Sequence, residues 1–384
     1  MRIWMRALVA ITMIACSQFL LSQTTTSSTS AKLAVAAPAP LVNTAAAPAK
    51  PAAEAPSHLI LTKTTILNVP PKSSLGQSKC DGDGNFYVQS YAEGRDEVGT
   101  ISKFDSKGQK IATFDPGSSP TEIKLDGVLM FTVNADGSLY GLVFPHSYDR
   151  DLFLFNKDGS YKSKVTLAAA RVWSPSLFVT LNSGNFMATG QKWSKAEKTY
   201  VPFTGIFSSD GTLLKELSLD DDESIHQMAV RGDSRVTPST APGYSAINYA
   251  ISRGAMQVGS DGKVYLLRAL NPAVIYAISP GGEVERRFTV DPGDPSLIVA
   301  SMKLSGGRIA ILFRKSSGDE SIQGPVIEVV DLEGNKISTY KEPVLDGRAA
   351  FGWMLACYSD NPEQFTFLDW TKEQKLVLKT IEPR

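Results

Sequence analysis

The chain of 384 residues is short of histidine, short of cysteine and without surplus charge, and each shortage removes a class of function. Its three histidines stand at 58, 146 and 226, so no pair lies close enough in sequence to begin a histidine-rich metal site. The 39 basic residues are balanced by 39 acidic ones, which leaves none of the basic excess expected of a nucleic-acid binder. No G-x-S-x-G nucleophile elbow occurs. Cys16 lies in an N-terminal apolar run, and only Cys80 and Cys357 belong to the rest of the chain. From residue 58 onward, no helical periodicity of useful length appears.

What is present begins with a leader. Arg2 and Arg6 precede an apolar run from Ala7 to Leu21, so residues 1–22 read as a secretory signal whose run is short for a membrane span. Two processing readings stay open. Met13-Ile14-Ala15-Cys16 is similar to a bacterial lipobox, in which Cys16 would carry a lipid anchor; Phe19-Leu20-Leu21 extends the apolar run past that cysteine and favours cleavage near Ser22. Residues 23–57 are Ala, Pro, Thr and Ser with almost nothing to bury, which describes a disordered tether. An extracytoplasmic location is therefore expected: periplasmic, secreted or anchored to a bacterial envelope.

Residues 58–384 are built from a repeat. GTISKFDSKGQKIATF (99–114) places two short runs around a Ser-Lys-Gly turn, and LFLFNKDGSYKSKVTL (152–167), TGIFSSDGTLLKELSL (204–219), VIYAISPGGEVERRFTV (274–290) and VIEVVDLEGNKISTY (326–340) repeat the layout. Each is preceded by another pair of runs around a turn rich in Asp, Asn and Gly, as in VNADGSLYGLVF (133–144), VGSDGKVYLLR (258–268) and LSGGRIAILF (304–313). Alternating runs joined by Asp, Asn and Gly are strand and hairpin signals. The second-turn glycines at 108, 159, 211, 282 and 334 are spaced by 51, 52, 71 and 52 residues. Four strands in about fifty residues describe a propeller blade. Six units predict an all-β fold, a six-bladed β-propeller of four-stranded antiparallel blades. The last unit (355–383) lacks one strand, and HLILTKTTILNV (58–69) is a spare one, so the N-terminal strand is predicted to pair with the last blade and close the ring. An insert at about 220–256 lengthens one period; Tyr244–Ile251 could serve as one strand of a degenerate seventh blade, but no second strand accompanies it.

The stretch CDGDGNFYVQS (80–90) has two readings. Asp81, Asp83 and Asn85 alternate as oxygen ligands do at the start of an EF-hand loop, but the sixth and twelfth positions hold Phe86 and Ala92 where Gly and Glu belong. The same Asx-Gly step recurs in other units, which favours a hairpin turn. Cys80 and Cys357 each lie three residues before an Asp of their turn, Asp83 and Asp360. That suggests equivalent positions on neighbouring innermost strands. Packed sheets lie about 10 Å apart and a disulfide needs Cα atoms within about 7 Å, so two buried free thiols are expected.

GDGNFYVQS followed by ISKFDSKGQKIATF resembles an NHL repeat, and residues 58–384 resemble the NHL or TolB-like six-bladed β-propellers. The resemblance implies the fold. Some of these relatives are hydrolases or lyases that hold calcium or zinc in the channel with carboxylate, Asn or His ligands from several blades; no such set, no catalytic residue and no cofactor motif is identifiable here.

Both short turns of every blade lie at one end of the strands, so the longer connections gather at the other. That loop-rich face is the natural place for variable, function-bearing residues. It carries Tyr91, His146, Arg171, Trp193, Arg253 and Arg348, and Arg and aromatic side chains are common anchors of binding patches. Arg171, Arg253 and Arg348 shortly precede innermost strands and could meet at the channel mouth to hold a carboxylate or phosphate; the plainer reading pairs each with a local carboxylate or with water. The expected protein is a monomeric binding or scaffold module whose partner is a protein, a glycan or a small anionic molecule, with no nucleic acid and at most a lipid anchor. The alternative is a metal-dependent hydrolase of lactonase or esterase type with its site in the channel.

Overall fold

The structure is a computed structural model. It describes residues 58–69, 74–91, 99–118, 125–134, 136–145, 150–167, 173–219, 250–315, 324–345 and 348–384. The signal, the tether, most of the insert and the Arg171 and His146 positions lie outside these residues.

Six four-stranded antiparallel sheets succeed one another along the chain. Blade 1 holds β2 (Ser74–Cys80), β3 (Phe86–Tyr91), β4 (Thr100–Phe104) and β5 (Lys110–Phe114). Blade 2 holds β6 (Leu125–Val133), β7 (Leu139–Pro145), β8 (Asp151–Phe155) and β9 (Tyr161–Thr166). Blade 3 is β10 (Trp173–Thr180), β11 (Phe186–Ser194), β12 (Thr199–Phe207) and β13 (Leu213–Leu217); blade 4 is β14 (Ala255–Val258), β15 (Val264–Arg268), β16 (Ala273–Ile278) and β17 (Val284–Val290). Blade 5 consists of β18 (Leu297–Ser305), β19 (Arg308–Lys315), β20 (Val326–Asp331) and β21 (Lys336–Lys341). After a short ladder, β22 (Val344–Leu345) with β23 (Arg348–Ala349), blade 6 adds β24 (Met354–Asp360), β25 (Glu363–Trp370) and β26 (Leu376–Pro383). Its fourth strand is β1 (Leu59–Leu67), antiparallel to β26 from Leu59 opposite Pro383 to Leu67 opposite Leu376. The predicted six blades and their closing strand are therefore observed. Residues 250–252 at the end of the insert form a helical turn, so the end of the Tyr244–Ile251 run is not a strand.

The hydrophobic core is divided among the faces between neighbouring blades. Tyr87, Ile101 and Phe114 of blade 1 meet Val128, Phe131, Leu139 and Phe153 of blade 2. Met187 and Ile206 of blade 3 meet Val264, Leu266 and Val274 of blade 4. Closing the circle, Leu67, Ala356, Leu368 and Leu376 of blade 6 meet Phe86, Val88 and Phe104 of blade 1. Every large side chain buried this way contributes roughly 1.5–3 kcal/mol. The predicted alternation holds at the rim, where β9 alternates half-buried and exposed residues. It fails in the middle strands: β15 (VYLLR) and β16 (AVIYAI) are buried at every position because each is covered by a blade on both faces.

Most of the turns repeat one geometry. In blade 1 the Asp81 N–H donates to Asn85 O and the Gly84 N–H to Asp81 O; Asn156, Gly159 and Ser160 of blade 2 repeat the pattern. These are three-residue hairpin loops with glycine in the left-handed region, at φ 76° for Gly84 and 91° for Gly159. At the second turn of a blade, glycine is needed for a further reason. A Cβ on Gly159 would collide with Thr113 O on the outermost strand of blade 1, and one on Gly211 with Thr166 O of blade 2. The turn of each blade thus seats against the rim of the one before.

Cys80 and Cys357 form a disulfide, with Cα atoms 5.8 Å apart, which corrects the expectation of free thiols. Two facts explain the difference. Innermost strands converge on the axis and lie closer there than packed sheets do in general. The two cysteines are also not equivalent: Cys80 sits opposite Phe86 at the edge of a longer loop, whereas blade 6 turns tightly between Asp360 and Glu363 and places Cys357 opposite Thr366, beyond a bulge. The bond joins first and last blades across a sequence separation of 277 residues.

Replacing both cysteines by serine should lower the melting temperature, because a loop this long removes up to roughly 5 kcal/mol of unfolded-state entropy. An unchanged melt would show that strand pairing alone secures the ring. Gly159→Ala should destabilise by more than the roughly 1–3 kcal/mol of left-handed strain, while Gly184→Ala, with nothing within 4 Å of its Cβ direction, should cost only that strain. Equal losses in denaturant titrations would contradict the rim-seating role.

Candidate functional site

The innermost strands β2, β6, β10, β14, β18 and β24 surround the axis, and polar side chains tie neighbours together there. Gln89 Nε2 donates to Val128 O at 2.7 Å, from blade 1 to blade 2. Gln257 Oε1 accepts from Leu304 N at 2.8 Å, from blade 4 to blade 5, and Ser78 Oγ donates to Met354 Sδ at 3.2 Å, from blade 1 to blade 6.

At the tight-turn end the channel widens into a cavity of about 990 Å³, lined by Lys79, Thr132, Asn134, Tyr140, Thr180 and Gln257 among others. A second cavity of about 850 Å³ shares Cys80, Gly82, Gln257 and Leu304 with the first and reaches Lys303 and Tyr358. Lys79 from β2 lines the first cavity and Lys303 from β18 the adjoining second one, on the two blades that flank blade 6. Lys303 Nζ donates to Ser78 O at 3.4 Å. Among the described residues neither lysine has a carboxylate partner.

Burial without a counter-charge favours the neutral amine. It holds the Lys79 ammonium down to about 8. Lys303 falls to about 7, through burial first and then through repulsion from Lys79. Each lysine as a whole residue is half-buried.

The carboxylates along the same walls are already engaged. Asp81 Oδ1 accepts from the N–H groups of Asp83 (3.1 Å) and Asn85 (2.9 Å). Its Oδ2 accepts from Asn85 Nδ2 (2.9 Å) and Tyr87 OH (3.0 Å) and lies 3.4 Å from Lys103 Nζ. Every lone-pair direction is taken, and burial is outweighed by these donors, which hold the carboxyl below its usual range. Asp81 thus organises a turn, with Asn85 turned toward Asp81 itself. No group of three or more potential metal ligands occurs among the described residues.

The residues proposed from sequence are not gathered into one site. Tyr91 is half-buried at the end of β3, and its hydroxyl donates to Val128 O at 3.0 Å, so it ties blade 1 to blade 2. Arg253 is exposed in the turn after the helical segment before blade 4. Arg348 has its backbone in β23, and its side chain lies outside the description, as do Arg171 and His146 altogether. Trp193 is different. It lies 43 % exposed near the tip of the long β11–β12 hairpin, at the loop-rich end, edge-to-face with Tyr200 at 5.2 Å. The other exposed large apolar residues, Leu61, Ile66, Ile111, Leu214, Val284 and Ile337, all sit on outermost strands. Trp353, by contrast, packs against the interface of blades 6 and 1.

The sequence reading missed Lys79 and Lys303. One signal was available: each is a lysine near the C-terminal end of an innermost strand, where the side chain has the channel as its only outlet.

No protein-family model matches this sequence, and no curated protein matches it either. Among solved structures, the chain is similar to a Bacteroides caccae protein of unknown function, at 11 % identity over 77 % of this chain and 97 % of that one, with a TM-score of 0.44. It is similar to the Neurospora crassa Pan2 WD40 domain at 10 % identity, covering 87 % and 98 % of the two chains with a TM-score of 0.45. Chaetomium thermophilum Raptor matches at 10 % identity over 83 % of this chain and 29 % of its own, TM-score 0.41. Likenesses at this level add nothing about activity, and the six-bladed architecture rests on the sheets themselves.

Proposed function

We propose that this chain is an exported, envelope-associated propeller of the NHL or TolB-like kind that serves as a binding module, engaging a protein or glycan partner on its loop-rich face. The observation that carries the reading is the β11–β12 hairpin. Its strands run nine residues each, against six and five for the corresponding β3 and β4. The first five residues of β11 are buried in the blade, and the rest extends beyond it to Trp193. A tryptophan braced by a tyrosine offers a large, stiff, amphipathic surface, the kind of residue that dominates binding energy at interfaces. Export is supported by the basic, apolar N-terminus and by the Cys80–Cys357 disulfide, a bond that persists in oxidising compartments.

A photo-reactive amino acid at position 193, installed in the cell of origin, should give a discrete cross-linked adduct, while the same group at the rim position Leu214 gives none. With the partner purified, Trp193→Ala should weaken binding by about 2 kcal/mol, roughly thirtyfold, without moving the melt by more than a few degrees. Equal adducts at 193 and 214, or none at 193, would refute the loop-face reading.

A further inference from the structure

We propose that the lysine pair of the channel, Lys79 with Lys303, binds a small multivalent anion bearing carboxylate or phosphate groups at the tight-turn end of the ring. Two like charges on adjoining cavities that share Cys80, Gly82, Gln257 and Leu304 repel each other and lack the carboxylate that normally accompanies a buried ammonium. A ligand with two or more anionic groups supplies that missing charge. The neutral donors around them, the hydroxyl of Thr132 and the amide of Gln257, suit the remaining oxygens.

The other titratable groups facing this space are committed elsewhere. Asp136 Oδ1 accepts from Ser138 N (2.9 Å) and Ser138 Oγ (2.6 Å), and Asp81 holds the donors already described. Glu382 accepts from Gln364 Nε2 at 2.9 Å, and Tyr358 OH donates to Glu363 Oε1 at 3.0 Å. Lys63 Nζ donates to Ser106 O at 2.8 Å. Tyr140 stays a neutral phenol, its ionisation pushed up by burial and then by Asp136. Cys80 and Cys357 are joined and do not titrate.

A sign follows for the pH dependence. In the unfolded chain a lysine keeps its ordinary value of 10.5, whereas burial lowers Lys79 to about 8 and Lys303 to about 7. Between about 7 and 10.5 the unfolded state binds more protons, so the ligand-free protein should gain stability as pH rises through that window. An anion acts in the opposite direction: it restores protons to the amines and binds tighter as pH falls. Phosphates and polycarboxylates themselves gain charge as pH rises, so simple charge attraction without the lysine pair would show the reverse trend.

The test is calorimetric titration of the full chain with citrate and, separately, with inorganic pyrophosphate, at pH 6.5 and 9.5, with potassium chloride of matched ionic strength as control. Saturable one-to-one binding of at least one probe is expected at pH 6.5, at least tenfold weaker at pH 9.5. It should weaken at least tenfold in Lys303→Met and in Lys79→Met and persist in Lys303→Arg. Citrate alone binding assigns carboxylates, and pyrophosphate alone assigns phosphates. Absence of binding by both probes at pH 6.5 overturns the proposal, as does binding that survives in the methionine variants or strengthens toward pH 9.5. The wild-type pH comparison decides even if a variant misfolds. This site lies at the opposite end of the blades from the Trp193 hairpin, so the two readings fail independently.

Discussion

The packing of each blade against its neighbours is the constraint on which the rest of this protein depends. A single blade here is four short strands with both faces of its middle strands apolar, and it has no core of its own. Six interfaces each bury one contiguous apolar cluster, and the sixth exists only if the last blade reaches the first. An open row of blades would leave Phe86, Val88 and Phe104 on one end and Leu368 and Leu376 on the other facing water. The chain secures closure twice: β1 completes the sheet of blade 6 from the opposite terminus, and Cys80–Cys357 ties the innermost strands of the same two blades. Closure also removes the two outermost faces at which a stack of blades would otherwise grow.

Closure has a consequence for chemistry. Six innermost strands converging on an axis cannot fill it with large apolar side chains, so the channel carries polar ones. Glutamines at 77, 89 and 257 satisfy backbone groups of the next blade and fix the spacing of the ring. Lys303 reaches the backbone O of Ser78 in the same way, but neither it nor Lys79 has a carboxylate partner among the described residues. Charges left in that position are costly, and the lowered protonation of both amines expresses the cost. The loop-rich end follows different physics: there the scaffold ends, connections lengthen, and the β11–β12 hairpin carries Trp193 away from the core.

Much of the architecture was legible because the turns are local. Asx-Gly steps report a left-handed position whatever surrounds them, and the spacing of Gly108, Gly159, Gly211, Gly282 and Gly334 counted the first five blades. The spare strand at 58–69 was readable for the same reason, as an alternating run without a partner. The site was much less legible. Lys79 in SLGQSKC looks like any lysine on a solvent face until the curvature of the ring turns that face inward. Tyr91 looked like a loop-face aromatic, yet it spans two blades through Val128. The disulfide escaped because the cysteines were counted from aspartates in turns of unequal length, and a tight hairpin in blade 6 shifted the register. In each case what was missing was a relation between blades, which no single repeat contains.

The most direct test of the account is hydrogen exchange of the intact protein, followed peptide by peptide. If closure carries the stability of the ring, the amides of Leu59–Leu67 and Leu376–Pro383 should exchange in the slowest group, together with the fully buried β16 and the nearly fully buried β20, through one global unfolding event. Exchange of Leu59–Leu67 within seconds while β16 stays protected would contradict it, and would mean that the ring holds its shape without its closing strand.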